Sequence, residues 1–458
     1  MSLKERAKAH NDHNVYILGA GFSREANLPL IKDFMSRMRD ASAWLEQQGS
    51  RDNEVEAIAQ VLQFRLRAAA AAYRVPLDVE NVEELFSLAS AGGGEDLNRA
   101  MTLAIAATLD YARSVAAPVP EALRFNVVKR DIPGWTKPTH WEASPPWLVQ
   151  QSPQIKGNWY SCLPYDFYVG VLAGYFNKGG PDRRDTIITF NYDTIIEDGL
   201  RRLYIPFDYG IPSDSIRWHP SAAWIENGYS HPQVRLLKLH GSLNWAGLSP
   251  EQQERLLRRL YEGRASQPND YAKLSKVSLQ KVRGLSIYGD YKALRADRSM
   301  SDAPLLLPPT WTKAFGGHLA AVRDSAVEVL KNATRVVILG YSIPPTDQHF
   351  RYLLAAGLQD NISLRKVLVV NPGLKDDDSR RELEERLFRI IRPELWAQEI
   401  VEMINADTRS FLAGPWQGGG GEDNFRPRMG RSLNLPGHSN ETAPWTLCHL
   451  YGPGSSIE

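Results

Sequence analysis

Short apolar runs recur through the chain, and each closes on a glycine or a polar residue. Residues 14–18 stop at Gly19, 186–190 at Asn191, 234–239 at His240, 335–339 at Gly340 and 366–370 at Asn371. Runs this short, rich in Val, Ile and Leu and without alternation, are the pattern of strands covered on both faces, as in a parallel sheet. Between them the apolar period lengthens to that of an amphipathic helix: at 30–48, 55–72, 82–89, 97–116, 164–176, 194–202 and 349–357, with a helical stretch over 379–412. Strand, glycine turn and helix at the start make the opening of a Rossmann-like unit. The whole predicts an α/β fold, a Rossmann-like and mostly parallel sheet flanked by helices, with a helical insertion module at about 41–178 inside a domain spanning 12–410.

Three stretches lack a clear period. Residues 118–160 are rich in Pro and Trp and read as an irregular, packed excursion of the helical module. Residues 249–301 are polar, helical in part, and basic through Arg255, Arg258, Arg259, Arg264, Lys273, Lys276, Lys281 and Arg283. A solvated helical insertion is the simpler account of them, and a partner-docking surface the other. Residues 411–458 are rich in Gly, Pro, Ser and Asn and read as a tail or a docking strand. No internal repeat is visible.

Composition narrows the class. The chain has 458 residues, 43% hydrophobic and 23% charged, as in an ordinary globular protein. Lys and Arg number 54 against 53 for Asp and Glu, so the whole chain offers no electrostatic reason to bind nucleic acid or a membrane surface. Two distant cysteines, Cys162 and Cys448, exclude a disulfide framework and a four-cysteine zinc site. The start is charged and has no apolar leader core, and no apolar run approaches the roughly 18 residues of a membrane helix. The expected compartment is a reducing cytoplasm.

The polar residues that end the apolar runs are the candidate chemistry, because ligands of open α/β sheets lie at the carboxyl ends of the strands. Gly19-Ala20-Gly21-Phe22-Ser23 can turn sharply and bring main-chain N–H groups to a phosphate, with Ser23 as cap or phosphate partner; a purely structural turn fits the same pattern. In Phe190-Asn191-Tyr192-Asp193, Asn191 offers a donor and an acceptor that can orient a water or a ribose hydroxyl, while Asp193 can accept from an amide or simply cap a helix. His240, in Leu239-His240-Gly241-Ser242, titrates near neutrality and can serve as a general base, although a lone histidine at a strand end is more often structural. Gly340-Tyr341-Ser342 and Asn371-Pro372-Gly373 can hold the adenosine half of a dinucleotide, or be two polar turns.

Taken in order, these motifs resemble the sirtuin nucleotide-binding core, and more closely the divergent bacterial sirtuin-like domains that act as NAD hydrolases in anti-phage defence. Phe-Asn-Tyr-Asp at 190–193, Lys-Leu-His-Gly-Ser-Leu-Asn-Trp at 238–245, Gly-Tyr-Ser-Ile-Pro-Pro at 340–345 with Asp347, Pro-Pro-Thr-Trp at 308–311 and Asn-Val-Glu-Glu-Leu at 81–85 carry the likeness, which spans about residues 12–410. It implies that Gly19, Ala20, Gly21 and Ser23 hold the NAD phosphates, and that Asn191 positions the nucleophile at the nicotinamide ribose. It further implies that Asp193 meets the carboxamide, that His240 acts as base on a ribose hydroxyl, and that Gly340, Ser342 and Asn371 lie at the adenosine end. The chain departs from the sirtuin deacylases where Asn27-Leu28-Pro29-Leu30-Ile31-Lys32 stands for Gly-Ile-Pro-Asp-Phe-Arg, where Phe190 replaces a glutamine, and in lacking the zinc cysteines.

The expectation is therefore hydrolysis of NAD, as substrate and without a metal, to ADP-ribose and nicotinamide, in the effector of an abortive-infection system. Deacylation, ADP-ribosyl transfer and non-catalytic NAD or ADP-ribose binding are the alternatives. An unrestrained NAD hydrolase would kill its own cell, so a homo-oligomer or a separate activating protein is the expected partner.

Overall fold

The structure is a computed structural model describing residues 13–49, 51–71, 78–92, 94–128, 149–150, 159–175, 185–247, 284–297, 303–308, 318–344 and 347–412. Seven strands form one sheet: β1 Asn14–Leu18, β2 Thr186–Thr189, β3 Phe207–Asp208, β4 Val234–Lys238, β5 Arg335–Leu339, β6 Lys366–Val370 and β7 Val401–Ile404. Their order across the sheet is β7-β6-β5-β1-β2-β4-β3, and every pairing is parallel. This is the expected Rossmann-like α/β arrangement. The chain starts in the middle, fills one side through β2, β3 and β4, then crosses β1 to fill the other. That reversal of direction beside β1 opens a crevice at the strand ends.

The register sharpens the point. Lys238, Thr189, Leu18, Leu339, Val370 and Ile404 are successive partners across the sheet. Six strands therefore end in one row, and the loop that follows each, with Asn191, His240 and Asn371 among their residues, is delivered to the same edge. The central strands earn this regularity by being buried throughout: Val15, Ile17, Ile187, Ile188, Leu236, Leu237, Val336–Ile338 and Val367–Val369 form the main core. Apolar runs with no exposed face are stable only where helices cover both sides of a sheet.

Four helices build a second core beside it: α1 Ile31–Gln48, α2 Asp52–Ala71, α3 Val82–Gly92 and α4 Gly94–Ser114. Met38, Leu45, Ile58, Phe86, Met101 and Ala104 are fully or nearly fully buried there. The helix α1 runs unbroken through residue 41. Ile195, Leu243, Tyr291, Leu294 and Leu306, from the connections between the sheet's strands, complete this core and tie the two parts together. Among the described residues no helix is long and apolar enough to cross a membrane.

Two sequence expectations change. The stretch 379–412 is not continuously helical. Helices Asp377–Phe388 and Pro393–Ala397 are followed by β7 and then by the short helix Thr408–Leu412. The first of these helices ends at Phe388, Pro393 opens the next with Arg392 extended before it, Glu399 turns the chain at a φ of 55°, and Val401–Ile404 then find partners on the open edge of β6. Within the segment 249–301, residues 284–297 form the strand Leu285–Ile287 and the helix Tyr291–Ala296, with Leu285, Ile287, Tyr288, Tyr291 and Leu294 buried, so this part is core and not a solvated insertion. The basic residues 255–283 lie outside the described residues, as do 413–458 of the expected tail. Residues 118–160 contribute strands Phe125–Val128, Val149–Gln150 and, with Cys162, Trp159–Cys162, which pair as a small antiparallel sheet.

Candidate active site

The row of strand ends opens into a cavity of about 1040 Å³, near the upper end of the usual range for small-molecule sites. Loops after β1, β2, β4, β5, β6 and β7 line it from below, and Leu28, Phe34, Val82, Ile105 and Leu109 bring an apolar wall from the helical module and the segment leading into it. Asn191, His240, Ala20, Gly21, Ser23, Asp193, Gly340, Ser342 and Asn371 all line this one cavity. Gly19 is not part of the lining, and it acts through its carbonyl, as follows.

The loop after β1 is held against β5 by main-chain bonds from Gly19 N to Leu339 O (3.1 Å) and from Gly21 N to Gly340 O (2.8 Å). It then winds into a 3-10 turn over Ala20–Ala26 and only later enters α1. Gly21 and Gly340 meet backbone to backbone. A Cβ on Gly340, whose φ is +64°, would lie 2.5 Å from Phe22 N and 2.7 Å from Gly21 C. Gly340→Ala is therefore expected to cost about 2–4 kcal/mol, combining a left-handed φ with overpacking. Thermal unfolding checks this, and an unchanged melting temperature would show that the two loops part easily. Tyr165 clamps the other side, donating to Phe22 O at 2.8 Å and accepting from Ala26 N at 3.1 Å.

Asn191 is fixed from three directions. Its backbone N–H donates to Thr189 Oγ1 (3.0 Å), and its amide nitrogen donates to Gly19 O (2.9 Å) and Ser23 Oγ (3.0 Å). Both amide hydrogens are thereby used, so the flip state is settled by its partners and Oδ1 is the atom left for a ligand. Ser23, 2% exposed, sends its own hydrogen to Asp193 Oδ2 at 2.9 Å. The single hydroxyl donor of Ser23 is thus engaged within the protein. Asp193 Oδ1 accepts from Ile195 N at 3.0 Å at the start of the helix Ile195–Arg202. Asp193 makes an Asx turn into that helix, whose N-cap is Thr194, and belongs to the cavity wall.

Beneath this loop lies a buried ion pair. Lys238, at the end of β4, is fully buried; its Nζ donates to Asp193 O and, at 2.8 Å, to Glu197 Oε1. Burial pushes the Glu197 carboxyl up, against the opposing pull of Lys238. His240 is 6% exposed and packs edge-on to Phe190, ring centroids 5.0 Å apart. Phe190 in turn stacks on Tyr341 at 5.0 Å and 8°. Burial pushes the Tyr192 and Tyr341 hydroxyls well up, so both remain protonated donors, to Leu307 O and to Asp347 respectively.

Sequence reasoning missed several lining residues. Phe190 is the aromatic floor between Asn191 and Tyr341, a use the sequence position alone did not suggest. Arg24 and Lys32 are the Lys and Arg side chains of the lining among the described residues, and both are exposed. Asp407 follows β7 and would have been found had that strand been recognised. Among the described residues no group of three or more His, Cys, Asp and Glu is placed to hold a metal ion.

No family model matches the sequence, and no curated protein matches it. Among solved structures, the structure of Sir2Tm bound to a propionylated peptide aligns with 14% sequence identity over 90% of this chain and 96% of that chain, with a TM-score of 0.29. The parallel order and register of the seven strands define the fold of this chain.

Proposed function

We propose that this chain is a sirtuin-like NAD hydrolase that cleaves the bond between nicotinamide and ribose. The observation that carries the reading is the locked Asn191: its amide nitrogen is held by Gly19 O and Ser23 Oγ, which leaves Oδ1 for a ligand on a side chain that lines a dinucleotide-sized cavity together with His240. The residues fit the substrate in other respects. The cavity crosses the switch point beside β1, where dinucleotides bind in open α/β sheets. Arg24, in the turn that holds the glycines, and Lys32, at the start of α1, are cations in the lining available to a diphosphate.

In this reading the bond from the ribose anomeric carbon to the pyridinium nitrogen breaks, and its electron pair neutralises the ring, so the leaving group needs no acid. Positive charge grows on the anomeric carbon, as in glycoside hydrolysis. Asn191 Oδ1 orients the attacking water or the ribose, and His240 receives the proton that the water loses. The carboxylate of Asp193 and the buried Asp347 favour the developing cation. The products are ADP-ribose, nicotinamide and one proton.

The wider reading, an abortive-infection effector restrained until a homo-oligomer or an activating protein switches it on, extends the same proposal. The test is nicotinamide and ADP-ribose release from NAD by the full chain, beside His240→Ala. Release by the wild type and a loss of about a hundredfold in the variant are expected. Deacylation of an acyl-lysine peptide, a labelled protein in place of free ADP-ribose, or tight binding with no turnover under activating conditions would each overturn hydrolysis.

A further inference from the structure

The end of the cavity away from Asn191 and His240 carries its own chemistry. It is built by the loops after β5, β6 and β7, through Ser342, Asn371, Pro372, Ala406, Asp407 and Thr408. In a dinucleotide lying across the switch point, with its reacting ribose at Asn191, the adenosine half falls here. The loops are joined by main-chain bonds from Asn371 N and Ala406 N to Ile404 O, both 3.1 Å. Asn371 is occupied locally: its Oδ1 accepts from Gly373 N at 2.8 Å and its Nδ2 points to Tyr341 O at 3.4 Å.

Asp407 is different. It is exposed at the cavity lip, and Oδ1 accepts from Ser410 N at 2.7 Å, which fixes the carboxylate while leaving Oδ2 available. No Lys or Arg lines this end among the described residues. The two nearby arginines are committed elsewhere. Arg386 gives its terminal nitrogens to Ser342 O and Glu382, and Arg409 donates to Leu123 O at 3.0 Å while lying 4.5 Å over the Phe125 ring.

We propose that Asp407 makes this cavity select an unphosphorylated adenosine ribose, so that NAD is taken and NADP is rejected. The inference rests on the proposed dinucleotide chemistry and names the substrate class within it. A carboxylate accepts hydrogens from a ribose diol, whereas a 2′-phosphate brings about two negative charges against it, with Lys375 a further nearby basic side chain outside the lining and, among the described residues, no Lys or Arg within the lining of this end to pair them. Position matters here. The acid comes from the loop after β7, the edge strand, while the turn after β6 has spent its asparagine on itself.

The experiment uses the full chain and two readouts. One is kcat/KM for nicotinamide release from NAD and from NADP; the other is calorimetric binding of ADP-ribose and of 2′-phospho-ADP-ribose, which needs no turnover. The wild type is expected to favour the unphosphorylated member of each pair by at least about tenfold. Asp407→Asn keeps an acceptor for Ser410 N, so the local turn survives; it is expected to shrink the preference to within about threefold, and Asp407→Lys to reverse it. Equal handling of both members by the wild type, or an undiminished preference in Asp407→Asn, overturns the inference while leaving NAD hydrolysis standing. Absence of binding to either ribose ligand together with absence of turnover overturns both.

Discussion

Asn191→Ala is expected to reduce nicotinamide release from NAD by about a hundred- to a thousandfold, the usual cost of removing one prepositioned polar group from a reacting centre. The structure also says which replacement does not help. Asn191 donates two hydrogens, to Gly19 O and Ser23 Oγ, at 2.9 and 3.0 Å. An aspartate has the same shape but no hydrogens to give, so Asn191→Asp would face the Gly19 carbonyl with a carboxylate. It is expected to lose as much activity as the alanine variant. Ser23→Ala removes only one of the two anchors, together with the bond to Asp193, and is expected to lose about tenfold. Steady-state rates on the full chain, with circular dichroism to show that each variant folds, check the series. Asn191→Asp retaining activity within about threefold of the wild type would sink the idea that Oδ1 is the working atom and the amide nitrogen its anchor.

The second expectation concerns stability. Lys238 and Glu197 are 0% and 2% exposed at their side chains, and Glu197 Oε2 has no hydrogen-bond partner among the described residues. Lys238→Ala strands a buried carboxylate and is expected to destabilise the fold by about 3–5 kcal/mol. The paired replacement Lys238→Met with Glu197→Leu removes both charges and is expected to recover most of that loss. Urea unfolding measures both. A double variant as unstable as the single one would show that the cost is packing and not the unpaired charge. Activity should separate from stability: the double variant still lacks the ammonium that holds Asp193 O. It is expected to fold, yet to run slower than the wild type because the loop carrying Asn191 has lost its support from below.

The central strands were legible because burial on both faces leaves a continuous apolar run that needs no partner to be recognised. The helices of the second core were legible for the matching reason, a sustained period with one apolar face. The edge strand β7 was not. Val401-Glu402-Met403-Ile404 is four residues long and half-buried, and its neighbours have helical propensity. Only the open edge of β6 decides its conformation, and nothing local encodes that edge. The strand in residues 285–287 was hidden in the same way, inside a segment whose charge suggested a solvated surface.

The candidate site divides along the same line. The polar endings Asn191, His240 and Asn371 could be picked out because each interrupts a run that is otherwise apolar. That Ser23 would spend its hydrogen on Asp193, that Gly21 and Gly340 would touch, and that Asp407 would stand beside the turn after β6 could not be. These partners are about 35 to more than 300 residues apart.

The linear chain contained the α/β class, the central strands and the identities of most polar residues at their ends, because side-chain periodicity and burial are written over a few neighbouring positions. Strand order, register and the reversal beside β1 were settled only by the folded molecule. Parallel neighbours must be joined through long crossovers, so the contacts that set the register are non-local, and it is the register that brings six separate strand ends to one cavity.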